Sequence, residues 1–581
     1  MKTNSLLIWF SIMGIILLGI SLFFGHAGLT FQVSWSLHRL SLLILSLVFL
    51  LFALIYSLYK DKITDATNKA GYAIESNPIT HWWVKAQLVG YDEESKLKQI
   101  HQIVGIFSFL IILIYLWFVS AGQWIAWPQT TNYYDQIASS FEKGQLFLLA
   151  TPSSALLALS NPYDPGIRGN IPFPIDFSLF NGKFYLYFGP VPAIVLAIIK
   201  LLLPIEIGDQ YVVFVSILGI YIFQCLFILS IWRKYFRDFP IWMILICIPL
   251  IGLINPFLYM LVTARIYEAA ITAGQFFFMG GLYFAVMAFD KPLVSLSRLG
   301  LAGLFWASAI ASRMILSLPV GFMALMTLFW IIITSPKIGT RQTIQGTISF
   351  VLPFALGIAC LGWYNHARFG SVFETGINYQ LTATNLQKNH NDLFTLANVP
   401  QNLYNYLINP PKILNTFPYI SATSANKKSS VVPFIKLPAI YNGEQITGLV
   451  YSAPFILFAI IPFFTLFSKT SNQQYSNPLF GKNNKMDFIK WIFISLIGSF
   501  LLAFIALLLF FWATMRYMTD FIPSLILLSI IGFWQGYRFF TQRPIQLILY
   551  SFTGFCLACI SIFISSFLTF SINLWWLNYF S

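Results

Sequence analysis

Three arginines, Arg265, Arg313 and Arg516, each stand in a short turn between apolar runs. Glu268 follows Arg265 by three residues and Asp520 follows Arg516 by four, so each pair can share one face of a helix. The planar guanidinium fork suits a phosphate held at a surface. Acids come from an earlier stretch: Asp135 in NYYDQIASSFEKG (132–144), Asp164 in NPYDP (161–165) and Asp176 in IDFSLFNGKFYLYFGP (175–190). A carboxylate facing arginines can take a proton from an attacking group while the cations stabilise a departing phosphate. The plainer alternative keeps the arginines at the membrane interface or in structural pairs with Glu268 and Asp520. The Asn-Pro and Asp-Pro steps favour a turn and make Asp164 a structural residue.

Other chemistry is thinly represented. His26, His38, His81, His101, His366 and His390 are scattered, and all five cysteines sit in apolar runs, including the Cys556-x-x-Cys559 pair. That excludes a disulfide framework and a zinc ribbon. A divalent metal can assist a phosphate, but the loop acids show no ligand spacing, and no metal or other cofactor is assigned.

These residues must be positioned by membrane-spanning helices. Of the 581 residues 58% are apolar and 9% charged, and the mean hydropathy is +0.74. Soluble domains carry about 25% charged residues, so a soluble enzyme and a disordered chain are excluded. Runs long enough to cross about 30 Å of hydrocarbon lie near 5–24, 39–58, 104–126, 209–232, 240–262, 268–288, 345–364, 447–467, 490–511, 519–536 and 546–569. The first has an apolar core too long for a cleaved signal peptide. The stretch 299–334, about 54 Å if helical, is too long for one crossing. Arg313 and Pro319 interrupt it, so it reads as two short crossings with Arg313 at the turn. The expectation is an all-α polytopic membrane protein of about 13 crossings.

Short loops rich in Lys and Arg, such as Arg233, Lys234 and Arg237, place the N-terminus in the cytoplasm. The net charge of +14 then follows from topology and calls for no nucleic acid. Two 82-residue loops, 127–208 and 365–446, fall on the outer side together with the three arginine turns. Loops so long are more than connections. The apolar segment 190–203 is too short to span and reads as an interfacial helix bordering a lipid-chain groove. With no Asp, Glu, Lys or Arg in mid-span and no internal repeat, an interfacial enzyme is favoured over an ion-coupled transporter.

From about residue 103 to 540 the chain resembles the C-type (GT-C) integral-membrane glycosyltransferases, the group of the protein O-mannosyltransferases and aminoarabinose transferases and their uncharacterised bacterial relatives. The resemblance rests on the order and spacing of YDQIASSFEKG (134–144), NGKFYLYFGPVPA (181–193), RIYEAAITAGQ (265–275), ASR (311–313), YNHARFGSVFETGINYQL (364–381) and MRYMTDFIP (515–523). It implies transfer of a sugar from a polyprenyl-phosphate donor to an acceptor outside the cytoplasmic membrane. It implies a catalytic aspartate at Asp135, with Asp176 as partner or substitute, because Thr130 and Thr131 stand where many relatives carry an acidic pair. Arg265, Arg313 and Arg516, with Lys183, would hold the donor phosphate, and Tyr134, Glu268, Asp520 and Arg368 would support them. The chain divides into residues 1–102 (two helices and a cytoplasmic loop), the 103–540 core and a C-terminal helix over 541–581. The rival readings are a non-catalytic glycolipid transporter or scaffold and an envelope-glycan polymerase or ligase.

Overall fold

A computed structural model describes residues 93–290, 293–425, 435–467 and 488–580. The expected crossings at 5–24 and 39–58 and most of the loop between 60 and 102 lie outside these residues. The described part is mostly helical, and eight of its helices are long and apolar enough to cross a membrane. It is a multi-pass membrane protein.

Helix α1 (Glu93–Val119) leads into the first long loop, which contains the short helix α2 (Tyr133–Glu142), a hairpin of β1 (Phe177–Phe180) and β2 (Lys183–Leu186), and the apolar helix α3 (Val191–Leu202). There follow α4 (Asp209–Tyr235), α5 (Trp242–Val262, three short helices in line), α6 (Ile266–Ala288), α7 (Leu296–Ser312), α8 (Ser317–Ile338) and α9 (Thr340–Phe369). The second long loop ends in the broken helical stretch 449–467, and α10 (Phe488–Leu509), α11 (Ile522–Phe540) and α12 (Pro544–Phe580) complete the chain.

Several expectations are met in detail. The 299–334 stretch splits at Arg313 into α7 and α8, and Pro319 sits in the first turn of α8, where a missing N–H costs nothing. The segment expected at 190–203 is α3. Within the long loop 127–208 the NGK run forms a tight hairpin. Asn181 and Gly182 adopt φ of 47° and 72°, the left-handed pair that a two-residue hairpin turn requires.

Without a hydrophobic drive between spans, helices associate through small residues and close packing. Gly280 and Gly281 of α6 receive Phe305 and Trp306 of α7; a Cβ on Gly281 would fall 2.3 Å from the Trp306 ring. Trp306 is fully buried and donates its indole N–H to the Phe278 carbonyl at 3.1 Å. Gly303 of α7 lies against the Phe350 carbonyl of α9 in the same way. These contacts align α6, α7 and α9 so that the turn holding Arg313 abuts the hairpin exit. There a Cβ on Gly189 would sit 2.1 Å from the Ala311 carbonyl oxygen. A backbone oxygen at that distance cannot be relieved by a rotamer change. Gly189→Ala should therefore lower stability by about 1–3 kcal/mol, read as a lower melting temperature of the purified protein; an unchanged melting temperature would contradict this packing.

Candidate functional site

Each arginine turn meets an acid. Arg265 caps α6 and bonds Glu268 in the first helical turn at 3.2 Å. Glu268 is fully buried and also lies 3.9 Å from Arg516. The expected Arg516–Asp520 pair does not form, because residues 515–520 wind as a tighter 3-10 helix and Asp520 is taken by Arg313 at 3.0 Å. Arg516 instead holds Glu444, a residue of the second long loop, through both terminal nitrogens, one at 2.9 Å and one in still closer contact. Tyr267 and Tyr517 stack beside these guanidinium groups, at 4.9 Å and 5.5 Å from Arg516; Tyr517 also lies 5.1 Å from Arg313. The three turns, far apart in sequence, thus form one network. Burial alone would lower the Arg516 pKa, but Glu444 and Glu268 outweigh it and keep the guanidinium charged well beyond its ordinary range.

Asp176 joins this network without an ion pair among the described residues. It enters the hairpin at φ 66°, a conformation that L-residues adopt reluctantly. Its carboxylate accepts a close hydrogen bond from the Tyr267 hydroxyl and a 3.3 Å bond from the Gln380 amide. The second loop fixes its backbone: the Asp176 amide donates to Leu381 at 2.9 Å, and Leu381 returns a bond to Phe177. Burial raises the Asp176 carboxyl above its ordinary pKa, and Tyr267, Arg516 and Arg265 oppose that rise only in part. Tyr187, on the same hairpin, has its phenol pushed up to about 12 by burial, with Arg313 opposing, so it is a neutral hydrogen-bond donor near both Arg313 and Asp176.

The other expected residues have different surroundings. Asp135 is buried in α2 and paired with Lys200 of α3 at 2.9 Å; it also accepts the Ile207 amide, while Lys200 bonds Ser139 at 2.8 Å. This knot fastens the two helices to each other. Tyr134 beside it is fully buried with an unpartnered hydroxyl, within electrostatic reach of Arg313 and Tyr364. Lys183 stands exposed at the hairpin turn, its ammonium 4.0 Å from the Phe147 ring centroid. Arg368 is buried between the Tyr364 and Phe369 rings and donates to the Leu186 carbonyl and Asn365, fastening β2 to α9. Asp164 caps a single helical turn through the Gly166 amide, the turn role read for NPYDP. Among the described residues no group of three or more His, Cys, Asp or Glu side chains could hold a metal ion.

Four contributors have no role assigned from the sequence: Asp209, Glu444, and Tyr267 and Gln380, which lie inside the 265–275 and 364–381 motifs. Asp209 accepts bonds from Thr131 and from the Tyr133 and Tyr134 amides, so it caps α2 from the start of α4. Thr131 also accepts the Ile266 amide, which ties α2 to the Arg265 turn. The acid in the first turn of α4 was a visible signal for such a cap. Glu444 and Gln380 lie in a loop whose register only the fold reveals.

Beside this network lies an apolar groove of about 770 Å³, lined by α2 and the residues after it, α3, α7 and α9. Phe141, Ile194, Ile198, Ala311, Leu361 and Tyr364 belong to its walls. Ala311 is two residues from Arg313. Among the described residues the Tyr364 hydroxyl, like Arg313 Nε and Asp520 Oδ1, is buried without a hydrogen-bond partner. The groove thus has largely apolar walls and comes, at Ala311, within two residues of Arg313. No family model, curated protein or solved structure matches the chain.

Removing one member of a buried ion pair strands the other and costs about 3–5 kcal/mol. Asp135→Ala should accordingly melt well below wild type, and Asp135→Asn combined with Lys200→Met should recover most of the loss. A single variant as stable as wild type would free Asp135 from this structural role.

Proposed function

We propose that the chain is a glycosyltransferase of the cytoplasmic membrane that moves a sugar from a polyprenyl-phosphate carrier to an acceptor outside the cytoplasm. The reading takes the chain as 13 crossings with the N-terminus inside, supported by the basic short loops, which puts both long loops and the arginine network on the outer face. The observation that carries it is the juxtaposition of Asp176, a half-buried carboxylate with no ion pair among the described residues, with an arginine network whose Arg313 stands two residues from Ala311 in the wall of an apolar groove. The groove receives the carrier's isoprenyl chain near the bilayer, and the arginines meet its phosphate.

In the step itself the acceptor hydroxyl oxygen bonds to the anomeric carbon of the donor sugar. Its proton passes to the Asp176 carboxylate. The bond from the anomeric carbon to the phosphate oxygen breaks, and polyprenyl phosphate leaves with the electron pair. Cations that take up the leaving charge make a strong general acid unnecessary. Asp176 serves as the proton acceptor here, in preference to Asp135, because Asp135 is neutralised by Lys200 while Asp176 meets only neutral donors, Tyr267 and Gln380.

The acceptor must find Asp176 ionised. Burial raises its pKa, so protonation sets in at a higher pH than for an ordinary aspartate near 4, and transfer falls as pH drops through that raised value. Deleting the gene should remove one glycan or glycolipid species from the envelope, read by mass spectrometry. Complementation with Asp176→Asn should fail although the variant protein inserts and melts like wild type. Restoration of the species by Asp176→Asn, or an acid limb no higher than that of a free aspartate, would overturn the assignment.

A further inference from the structure

The three arginine–acid contacts differ in what it would take to open them. The carboxylates of Glu268 and Asp520 are completely inaccessible, at 0% exposure of the side chain. Moving either away from its arginine would leave a charge buried and unpaired, at a cost of several kcal/mol. Glu444 is the exception: its side chain is 35% exposed while Arg516 beneath it is 5% exposed.

The backbone under Glu444 is firmly held. Its amide donates to Ala513 at 2.8 Å, its carbonyl accepts from Ala425 at 2.9 Å, and residues 442–443 pair in parallel with 512–513. A Cβ on Gly443 would lie 2.7 Å from the Ala513 carbonyl oxygen, so this contact admits no side chain there. What remains movable is the Glu444 side chain, which rests on the Arg516 fork in two-point contact and takes one further bond from Thr514 at 3.1 Å. A carboxylate on both nitrogens of a guanidinium fork occupies the geometry a phosphate would use.

We propose that the terminal nitrogens of Arg516 are the seat of the donor phosphate and that Glu444 is the chain's own competing anion, which turns out to solvent when an isoprenyl-linked phosphate binds, the donor's diester or the monoester it leaves behind. With Glu444 turned away, Arg265 and Arg516 face the carboxylates of Glu268 and Asp176 only, and the terminal nitrogens of Arg516 are open to the incoming phosphate. Arg313 keeps Asp520 throughout and contributes its unpartnered Nε. The inference rests on the reading that this network receives a phosphate, and it adds that affinity is set by exchange of one anion for another.

The test uses the full chain in lipid nanodiscs with farnesyl phosphate as probe, and with orthophosphate as a second arm. Glu444→Gln and Glu444→Ala should each bind farnesyl phosphate about tenfold more tightly than wild type, equivalent to about 1.4 kcal/mol. Adding Arg516→Gln should abolish the gain. Orthophosphate should bind much more weakly than farnesyl phosphate in every form, because it leaves the groove empty. Unchanged or weaker farnesyl phosphate binding in both Glu444 variants, with wild-type melting behaviour, overturns the exchange while leaving the phosphate reading intact. Orthophosphate binding as tight as farnesyl phosphate assigns the seat to free phosphate and overturns the lipid-borne ligand. Absence of binding in every form overturns the phosphate reading itself and the exchange with it.

Discussion

A guanidinium carried to the end of an apolar helix bundle must find compensating partners, which for each of the three turn arginines is a carboxylate, because an unpaired charge there is far costlier than any single packing contact. Most of the site's architecture follows from that constraint. Glu268, fully buried in the first turn of α6, lies against both Arg265 and Arg516. Asp520, just before α11, reaches the turn between α7 and α8 to meet Arg313. Glu444 comes from a long loop to complete Arg516. All of these pairings except the local Arg265–Glu268 contact join elements distant in sequence, so charge compensation fixes the ends of α6, α7, α10 and α11 relative to one another. The interhelical glycines set how closely the helix bodies approach.

The two long loops answer a related demand. A loop at a bundle end must satisfy its own backbone polar groups. Here the loops do so jointly. Residues around Gln380 and Leu381 bond to the edge of β1, and Ser178 bonds the Gly376 carbonyl at 2.8 Å. Arg168 of the first loop donates to the Thr382 carbonyl of the second. The strained φ of Asp176 is held by this interlocking. Such strain persists where the surroundings over-determine a conformation, and it marks residues whose direction matters. The same loops carry α2 and α3, and the Asp135–Lys200 pair sets those two helices as adjacent walls of the groove.

Much of the fold was legible in the sequence because hydropathy reports burial in lipid directly. The α7–α8 break follows from helix length, and α3 from a run too short to span. Asp135, Asp176 and the turns of Arg265, Arg313 and Arg516 are expected from the sequence to converge; the structure joins Asp176 to the arginine network through Tyr267 and leaves Asp135 apart, with Lys200. What escaped the sequence depends on register and curvature. Spacing paired Arg516 with Asp520, but the 3-10 winding of residues 515–520 turns that acid toward Arg313. The sequence favours Asp135 over Asp176 as the candidate, and what it does not show is that Lys200 faces inward from an otherwise apolar helix to pair with Asp135. Lys183 and Arg368 are cations in the right loops, yet one sits at the hairpin turn and the other fastens β2. The Asn-Gly turn was readable from its dipeptide.

The central claim is that the groove and the arginine network form a single site for a phosphate-headed lipid. Cys360 lines that groove and is exposed, whereas Cys225 and Cys247 are buried. The direct measurement is the rate of maleimide labelling of Cys360 in nanodisc-embedded protein carrying Cys556→Ser and Cys559→Ser, with and without farnesyl phosphate. The account predicts that farnesyl phosphate slows labelling and that Arg516→Gln removes the protection. Labelling that ignores farnesyl phosphate, or protection that survives loss of Arg516, would contradict it.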